Sequence, residues 1–318
     1  MNLEQKIKEE ALRLGFAACG IAEVAPAESE AIYFDTWLAN GMHAGMTFME
    51  NYRNVRLNPA GLLEGARSII SVALNYYPAD LQLQDVPQLA YYAYGRDYHD
   101  VIKEKLNELV DYIRREVSIN ARCFTDSAPI LERYWAWKAG LGWIGKNTHL
   151  IIPGKGSYFF LGEIVTDLIL IPDRPMESMC GKCTRCMEAC PTSAIEAPRT
   201  LNAGKCISYL TIENRNEIPE KLAPLIGNRI YGCDTCQQVC PWNRFARPTT
   251  EESFKMKEEL AEMTADKWYA LSREQYTRIF KGSAVKRAKY EGLLRNIANY
   301  KAINFRKEEE QNTKSISE

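Results

Sequence analysis

The apolar positions of residues 1–171 alternate between a helical period and short continuous runs. A period of three to four residues indicates amphipathic helices. It predicts them over residues 3–14, 28–39 and 129–139, and along the face formed by Ile102, Leu106, Leu109 and Ile113. Short apolar runs rich in β-branched residues indicate buried strands. They occur over residues 16–22, 68–76, 121–125 and 157–170. This mixture predicts an α+β fold whose N-terminal domain, residues 1–171, is an α/β layered unit.

Two further regions follow this domain. The segment from Pro172 to Pro175 reads as a linker because two prolines bracket it. Residues 172–246 contain most of the cysteines, and we expect them to form a bacterial two-cluster, ferredoxin-like domain. Residues 247–318 are polar with helical spacing, which predicts a short helical and basic C-terminal region.

Eight of the ten cysteines lie between Cys180 and Cys240. The run that starts at Cys180 has the spacing C-x2-C-x2-C-x3-C-P, which is the spacing of bacterial ferredoxins. The run that starts at Cys233 has the same spacing without its first cysteine, and Cys206 is free to supply that thiolate. Eight thiolates are the number that two [4Fe–4S] clusters require.

The fourth cysteine of each run is expected to ligate the cluster of the other run, as in bacterial ferredoxins. The first cluster is therefore assigned to Cys180, Cys183, Cys186 and Cys240. The second cluster is assigned to Cys206, Cys233, Cys236 and Cys190. Such crossing would place the two clusters close enough for electron transfer between them.

Zinc and disulfides are the alternatives for these cysteines. Paired C-x2-C units bind zinc, but zinc has no use for a triple C-x2-C-x2-C followed by x3-C-P. Disulfides need an oxidising compartment, and the charged start of the chain does not resemble a secretory signal. Cys19 and Cys123 stand alone in apolar segments and are interpreted as small buried core residues.

The composition is that of a soluble globular protein, with 46% hydrophobic and 25% charged residues. No apolar run approaches the length of a membrane span, so no membrane association is expected. The eight clustered thiols and the lack of an export signal together predict a cytoplasmic location. The net charge is −1, and the protein has no global field that would attract nucleic acid. Any RNA-binding site must therefore be a local patch.

Residues 281–307 form such a patch, with eight Lys or Arg against one Glu and a local charge of +7. The run can be the solvated face of a helix, which is the usual fate of such segments. It can also be a site that binds phosphates. Composition alone favours the solvated face.

Several longer motifs make the chain similar to the epoxyqueuosine reductase family. The resemblance covers about residues 3–300 and rests on the stretches Gly95–His99, Asp126–Arg133, Lys138–Asn147, Cys206–Glu213, Gly232–Asn243 and Lys286–Asn296. Many family members continue into a C-terminal helical-repeat domain, whereas this chain stops soon after Asn296. Part of the usual RNA-binding surface is therefore expected to be missing.

The resemblance implies an enzyme with two [4Fe–4S] clusters and cobalamin. Such an enzyme reduces epoxyqueuosine to queuosine at the wobble position of tRNA, the last step of queuosine biosynthesis. The implied partners are tRNA bearing epoxyqueuosine and a low-potential electron donor such as flavodoxin or ferredoxin, and the protein is expected to be a monomer. The basic patch then becomes the expected tRNA contact, through Lys281, Lys286, Arg287, Lys289 and Arg295.

By the same resemblance, the proton donor of the reaction is Asp126. Removal of an epoxide oxygen requires a proton for the leaving oxygen, and a carboxylic acid with a raised pKa can supply it. The alternative is an ordinary turn residue before the helix predicted at Pro129. The expected cobalamin contacts are Arg56, Asp126, Lys146, Asn147, Cys233 and Asp234.

Two alternatives to this function remain at the level of sequence. The first is a corrinoid iron–sulfur reductase that acts on a small molecule such as an organohalide, which the basic patch disfavours. The second is an electron-transfer module without catalytic activity. None of the three histidines lies in an Asp-x-His-x-x-Gly motif, so no axial histidine ligand is predicted, and His99 is interpreted as a capping or packing residue.

Overall fold

The computed structural model describes the backbone of residues 2–316 and the side chains of residues 2–305. Its helices are α1 (Leu3–Arg13), α2 (Glu28–Ala39), α3 (Arg53–Leu57), α4 (Tyr98–Glu116), α5 (Glu132–Lys138), α6 (Arg185–Glu188), α7 (Ile207–Ile212), α8 (Thr235–Gln238), α9 (Glu258–Ala261), α10 (Ala265–Tyr269), α11 (Arg273–Ile279) and α12 (Lys289–Ile316). Its strands are β1 (Ala18–Glu23), β2 (Ser68–Asn75), β3 (Gln88–Leu89), β4 (Ala121–Phe124), β5 (Trp143–Ile144), β6 (Leu150–Ile151), β7 (Phe159–Thr166), β8 (Ile195–Ala197), β9 (Thr200–Leu201) and β10 (Arg229–Tyr231).

A four-stranded sheet in the order β1-β2-β7-β4 forms the centre of the N-terminal half. All three pairings are antiparallel, and Ile21, Ile70 and Ile164 lie opposite one another in one row across the sheet. Because side chains alternate along a strand, the neighbouring row points to the other face. That row contains Ser71 and Glu163.

Helices cover both faces of this sheet. On one face, α1 and α4 pack their apolar sides against the isoleucine row. The side chain of Asn2 caps α1 by accepting the Gln5 N–H at 2.9 Å, and Asp97 caps α4. On the other face, α2 and α5 bury Phe34 and Trp135. The N-terminal part is thus a three-layer structure, which explains why β2 and β7 are apolar along nearly their whole length.

A separate core lies under the C-terminal helices. Its members come from residues 86–94, from β10 and from α9 to α12, and Trp268 and Val285 are both fully buried in it. Strand β10 pairs in parallel with β3, so the cysteine-rich segment is tied to the N-terminal part. This core therefore draws on all three segments delimited in the sequence.

The described bounds agree with most of the predicted elements. Helix α2 has the predicted ends, and β2 and β4 each stop one residue before the predicted end. The helix predicted from Pro129 is wrong at its start, because α5 begins only at Glu132. Leu131 has φ −89° and ψ 74°, and this non-helical conformation delays the helix. Cys19 and Cys123 are half-buried. They pack against the core between the sheet and helices α1 and α4 rather than lying fully inside it.

Among the described residues, no helix combines the length and apolarity that crossing a membrane would require.

Candidate active site

Four cysteines from two separate runs line one cavity, which we call the cluster cavity. They are Cys180, Cys183, Cys186 and Cys240, the set that crossing of the two runs predicts. Trp242 completes part of the wall. Each of these cysteines is half-buried, which suits a group held by protein on one side and close to the surface on the other.

The other four cysteines also lie together. Burial raises the pKa of the Cys236 thiol, and the charges of Cys233 and Cys206 raise it further. Burial also raises the pKa of Cys206, and the charges of Cys233 and Cys190 add to this. The charge of Cys186, which lines the cluster cavity, also raises the pKa of Cys236, so the two sets of cysteines are neighbours.

Lys146 and Asn147 hold the cluster loops in place. The Lys146 ammonium group donates to the carbonyl oxygens of Gly181 at 2.8 Å and Cys183 at 2.9 Å. The Asn147 amide donates to the Cys236 carbonyl at 3.2 Å. These bonds place both residues against the clusters, and their predicted contact with cobalamin stays a prediction.

Beside the cluster cavity is an open cleft of about 860 Å³, which we call the tyrosine cleft. Tyrosines from the N-terminal part form one wall, and the loops around α6 and α8 form the other. Its lining residues are Tyr77, Tyr91, Tyr158, Arg185, Glu188, Ala189, Gln238, Val239, Cys240, Pro241, Asn243 and Arg244. Cys240 and Pro241 line both the cluster cavity and the cleft.

Asp126 lies in the loop between β4 and α5 and has a left-handed backbone with φ 51°. The Tyr98 hydroxyl donates to its carboxylate, and His99 Nε2 is 3.5 Å from the same oxygen. Glu132 accepts the backbone N–H of Asp126. The carboxylate keeps an open side, since 57% of the side chain is exposed. Asp126 lies in a bend before α5 and is not its N-cap residue, which is Leu131.

The protons of this site are distributed unevenly. Although burial alone would raise the pKa of Asp126, hydrogen bonds with His99 and Tyr98 lower it, so the expected raised pKa is not found on this carboxyl. Burial and the charge of Asp126 instead raise the pKa of Glu132 to about 8. Burial would lower the pKa of His99, but hydrogen bonds with Asp126 and Asp97 raise it to about 9.

A third carboxyl group lies beneath this loop. Glu163 is fully buried on β7, opposite Phe124 of β4, and neither of its carboxyl oxygens has a hydrogen-bond partner among the described residues. Burial raises its pKa well above the usual value, and repulsion from Glu132 and Asp126 adds to this. Burial without a partner therefore favours the neutral form of this carboxyl group.

Sequence reasoning misses three of these groups. His99 does pack, because its ring stacks on Tyr98 with 4.1 Å between centroids, but Asp97 is the cap, and the position of His99 between Asp97 and Asp126 is not predicted. Glu132 follows Asp126 by six residues in a recognisable stretch, and that proximity is a signal that could single it out. Glu163 lies in an apolar strand, where a lone Glu is a signal of a special environment.

The remaining predicted cobalamin contacts lie in separate places. Arg56 is buried in α3, and its Nη2 donates to the Phe48 carbonyl at 3.2 Å while Nε has no partner among the described residues. Asp234 follows Cys233 and accepts the backbone N–H of Tyr91 at 2.8 Å. It thus links the second cluster loop to a tyrosine of the cleft.

The basic patch divides into two kinds of residue. Lys281, Lys286, Arg287 and Lys289 are exposed. Arg287 also pairs with Glu213 through bonds of 2.6 and 2.9 Å, and the charge of Asp126 adds to the raised pKa that this pairing produces.

Arg295 uses its donors in hydrogen bonds within the protein. It donates to the backbone carbonyls of Leu210 and Asn214, each at 2.8 Å, and of Asn216 at 2.5 Å. The side chains of Arg306 and Lys307 lie outside the described residues. Contact of the patch with tRNA stays a prediction.

Two family models match the chain. The model "Epoxyqueuosine reductase QueG, DUF1730" matches residues 56–127, which include Arg56 and Asp126. The model "4Fe-4S double cluster binding domain" matches residues 179–243, which include all eight clustered cysteines.

Curated relatives agree with both models along most of the chain. The epoxyqueuosine reductase of Cellulophaga algicola is 45% identical over 302 residues, which cover 93% of this chain and 99% of that protein. The epoxyqueuosine reductase of Escherichia coli K12 is 46% identical over 304 residues, which cover 93% of this chain and 80% of that protein.

Solved structures share the architecture. A crystal structure of epoxyqueuosine reductase with an epoxyqueuosine-modified tRNA-Tyr stem loop has a TM-score of 0.86 and 32% identity, covering 95% of this chain and 81% of that one. The Bacillus subtilis enzyme, with a catalytic aspartate loop swung out of its active site, has a TM-score of 0.85 and 31% identity, with coverage of 95% and 81%. The chain therefore belongs to the epoxyqueuosine reductase family of oxidoreductases.

Proposed function

We propose that the protein reduces epoxyqueuosine to queuosine at the wobble position of tRNA, the last step of queuosine biosynthesis. The observation that carries this proposal is that Cys240 lines both the cluster cavity and the tyrosine cleft. A cluster bound in the cluster cavity would thus have one of its ligands, Cys240, in the wall of the cleft. Family membership supplies the identity of the substrate.

Two [4Fe–4S] clusters and cobalamin are the cofactors of this chemistry. The cluster cavity fits its cluster because its wall contains the four thiols that one cube needs. Lys146 holds two carbonyl groups of the loop that carries Cys180 and Cys183, which fixes the approach of their sulfurs.

The tyrosine cleft fits the corrin of cobalamin by its chemistry. A corrin has broad apolar faces and a rim of amide side chains. Tyr77, Tyr91 and Tyr158 offer aromatic surface, and Gln238 and Asn243 offer amide partners. Bound there, cobalamin supplies a centre that accepts two electrons from donors that deliver one at a time. The contacts predicted from the sequence do not line the cleft and stay predictions; they are Arg56, Asp126, Lys146, Asn147, Cys233 and Asp234.

Asp126 is proposed to transfer the proton to the leaving oxygen. Of the neighbouring carboxyl side chains, that of Asp126 is exposed, whereas that of Glu163 is fully buried. Tyr98 and His99 orient the carboxylate, and the stacking of Tyr98 on Phe160 at 4.2 Å fixes the position of its hydroxyl.

The exposed residues of the basic patch are proposed to bind tRNA phosphates. Arg287 connects this patch to the loop that contains Asp126, because the charge of Asp126 raises the pKa of Arg287. An anticodon stem bound along Lys281, Lys286, Arg287 and Lys289 would therefore present its loop near Asp126. Arg295 is a predicted tRNA contact whose donors already bind three carbonyls of the protein.

The organisation of the chain follows the same logic. We propose residues 1–171 as the cobalamin-binding catalytic domain, residues 172–246 as the two-cluster domain and residues 247–318 as the basic C-terminal region. We further propose that the protein is a cytoplasmic monomer and that a low-potential flavodoxin or ferredoxin supplies its electrons.

The test uses protein reconstituted with iron, sulfide and cobalamin, a low-potential reductant and tRNA that carries epoxyqueuosine. Digestion of the tRNA and mass spectrometry of the nucleosides should show queuosine. A matched Cys240→Ser protein should lose this activity while Cys19→Ser keeps it. Absence of queuosine with both cofactors loaded would refute the proposal, and turnover of an organohalide instead would favour the small-molecule alternative.

A further inference from the structure

The reduction of an epoxide to an alkene consumes two protons. The balance is epoxide plus two electrons plus two protons, giving alkene plus water. One proton is taken up when the first C–O bond breaks and the oxygen becomes a hydroxyl group. The second is taken up when the remaining C–O bond breaks and the hydroxyl group leaves as water. A single carboxyl group carries one proton at a time, so Asp126 needs a source that reprotonates it within the turnover.

Glu132 is placed to be that source. It is the first residue of α5, and its Oε1 accepts the backbone N–H of Asp126, so the two carboxyl groups belong to one short loop. Asp126 has the exposed carboxylate, whereas Glu132 lies behind it and is only partly accessible. This arrangement would place the Asp126 carboxyl group next to the substrate and the Glu132 carboxyl group behind it.

The surrounding charges determine where the protons are at rest. The charges of Asp126, Arg133 and His99 affect the pKa of Glu132. Glu132 in turn raises the pKa of Glu163. With the pKa of Glu132 raised to about 8 and that of Asp126 lowered, the proton resides on Glu132 at neutral pH. Loss of that proton to Asp126 leaves Glu132 as a carboxylate, which solvent reprotonates before the second C–O bond breaks.

We propose that Glu132 stores a proton and passes it to the Asp126 carboxylate, so that the pair delivers both protons that the reaction consumes. The proposal rests on the proposed reduction of epoxyqueuosine. Glu132 acts through Asp126 and is therefore a positioning and proton-storing residue. His99 is the rival source, because it also carries a proton 3.5 Å from the Asp126 carboxylate.

Glu132→Gln tests the proposal because glutamine keeps the oxygen that accepts the Asp126 N–H and removes the titrating group. Single-turnover rates should be measured from pH 6 to pH 9 on fully loaded enzyme. The wild-type rate should fall as the pH rises through about 8, where Glu132 loses its proton. The Glu132→Gln rate should be about 10- to 100-fold lower at pH 7 and should lack this fall. Glu163→Gln, the same change at a neighbouring carboxyl group, should keep it.

Infrared spectroscopy of the loaded enzyme without tRNA gives a second readout. A C=O band of a neutral carboxyl group should disappear near pH 8 in the wild type and be absent from Glu132→Gln. If Glu132→Gln keeps the wild-type pH profile, or if the wild-type rate is flat between pH 7 and pH 9, the proposal is wrong. Loss of the profile in His99→Gln alone would assign the proton to His99. A wild-type enzyme that forms no queuosine would refute the proposed function and this inference together.

Discussion

Replacing Glu163 with glutamine should stabilise the folded protein increasingly as the pH rises. Glu163 is fully buried, and neither carboxyl oxygen has a partner among the described residues, so the folded state keeps the group protonated. In the unfolded chain a glutamate ionises with a pKa of about 4.3. Above that pH the folded state holds one proton more than the unfolded state. Wild-type stability therefore falls as the pH rises.

The size of the effect follows from this difference in protons. Each pH unit above the unfolded pKa costs the wild type about 1.4 kcal/mol for as long as Glu163 stays protonated. If Glu163 stays protonated in the folded state up to pH 7, the cost is about 1 kcal/mol at pH 5 and about 4 kcal/mol at pH 7. Glutamine has nearly the same shape and carries no titrating proton, so the variant escapes this cost. At roughly 2 °C per kcal/mol for a large chain, the melting temperatures should differ by about 8 °C at pH 7.

Anaerobic differential scanning calorimetry of the cluster-loaded proteins measures this difference. The variant and the wild type are compared at each pH, because the contribution of the clusters is then common to both. Glu64→Gln, the same change at an exposed position, should show no such trend. A difference between Glu163→Gln and the wild type that is the same at pH 5 and pH 8 would show that Glu163 is not a neutral buried acid, and the reasoning would fail.

The other predictions concern the clusters, the basic patch and the proton donor. Cys206→Ser should lower the iron content from about eight to about four per chain, since each cube holds four irons, and an unchanged count would contradict the assignment of Cys206. Changing Lys286, Arg287 and Lys289 to alanine should lower the slope of log affinity for tRNA against log salt by about 0.7 to 0.9 for each phosphate that the protein no longer neutralises, whereas alanines at Lys103, Arg114 and Arg115 should leave it unchanged. Asp126→Asn should assemble both clusters and bind cobalamin, yet form queuosine at least about 100-fold more slowly, and a near-parental rate would remove Asp126 from the reaction.

The spacing of the cysteines is enough to predict the composition of the cluster cavity. Each run can wrap only one cube, and the cysteine before the proline points away from that cube. The prediction that Cys240 joins Cys180, Cys183 and Cys186 therefore requires no tertiary information, and the lining of the cavity agrees with it. The ends of α2 are predictable for a similar reason, because the apolar period and the glycine that follows are local signals.

The surroundings of Asp126 are not predictable in this way. Tyr98 and His99 begin α4, which runs against the opposite face of the sheet from α5. Their contact with Asp126 depends on where α4 starts relative to the end of β4, and no local pattern contains that information. The separate core under the C-terminal helices is similar, since no local pattern in residues 86–94 indicates that Leu89 and Tyr94 are buried there.

The backbone of Asp126 determines which substitution tests its chemistry most cleanly. A left-handed conformation such as φ 51° is unfavourable for most side chains, and Asp and Asn are among the non-glycine residues that tolerate it best. Here it is held by contacts on both sides of the residue, because Glu132 accepts the N–H and Tyr98 donates to the carboxylate. Asparagine keeps the tolerance and an oxygen for the Tyr98 hydroxyl, whereas serine keeps neither in full. A slow Asp126→Ser protein would thus combine the removal of an acid with a displaced loop, and only Asp126→Asn separates the two.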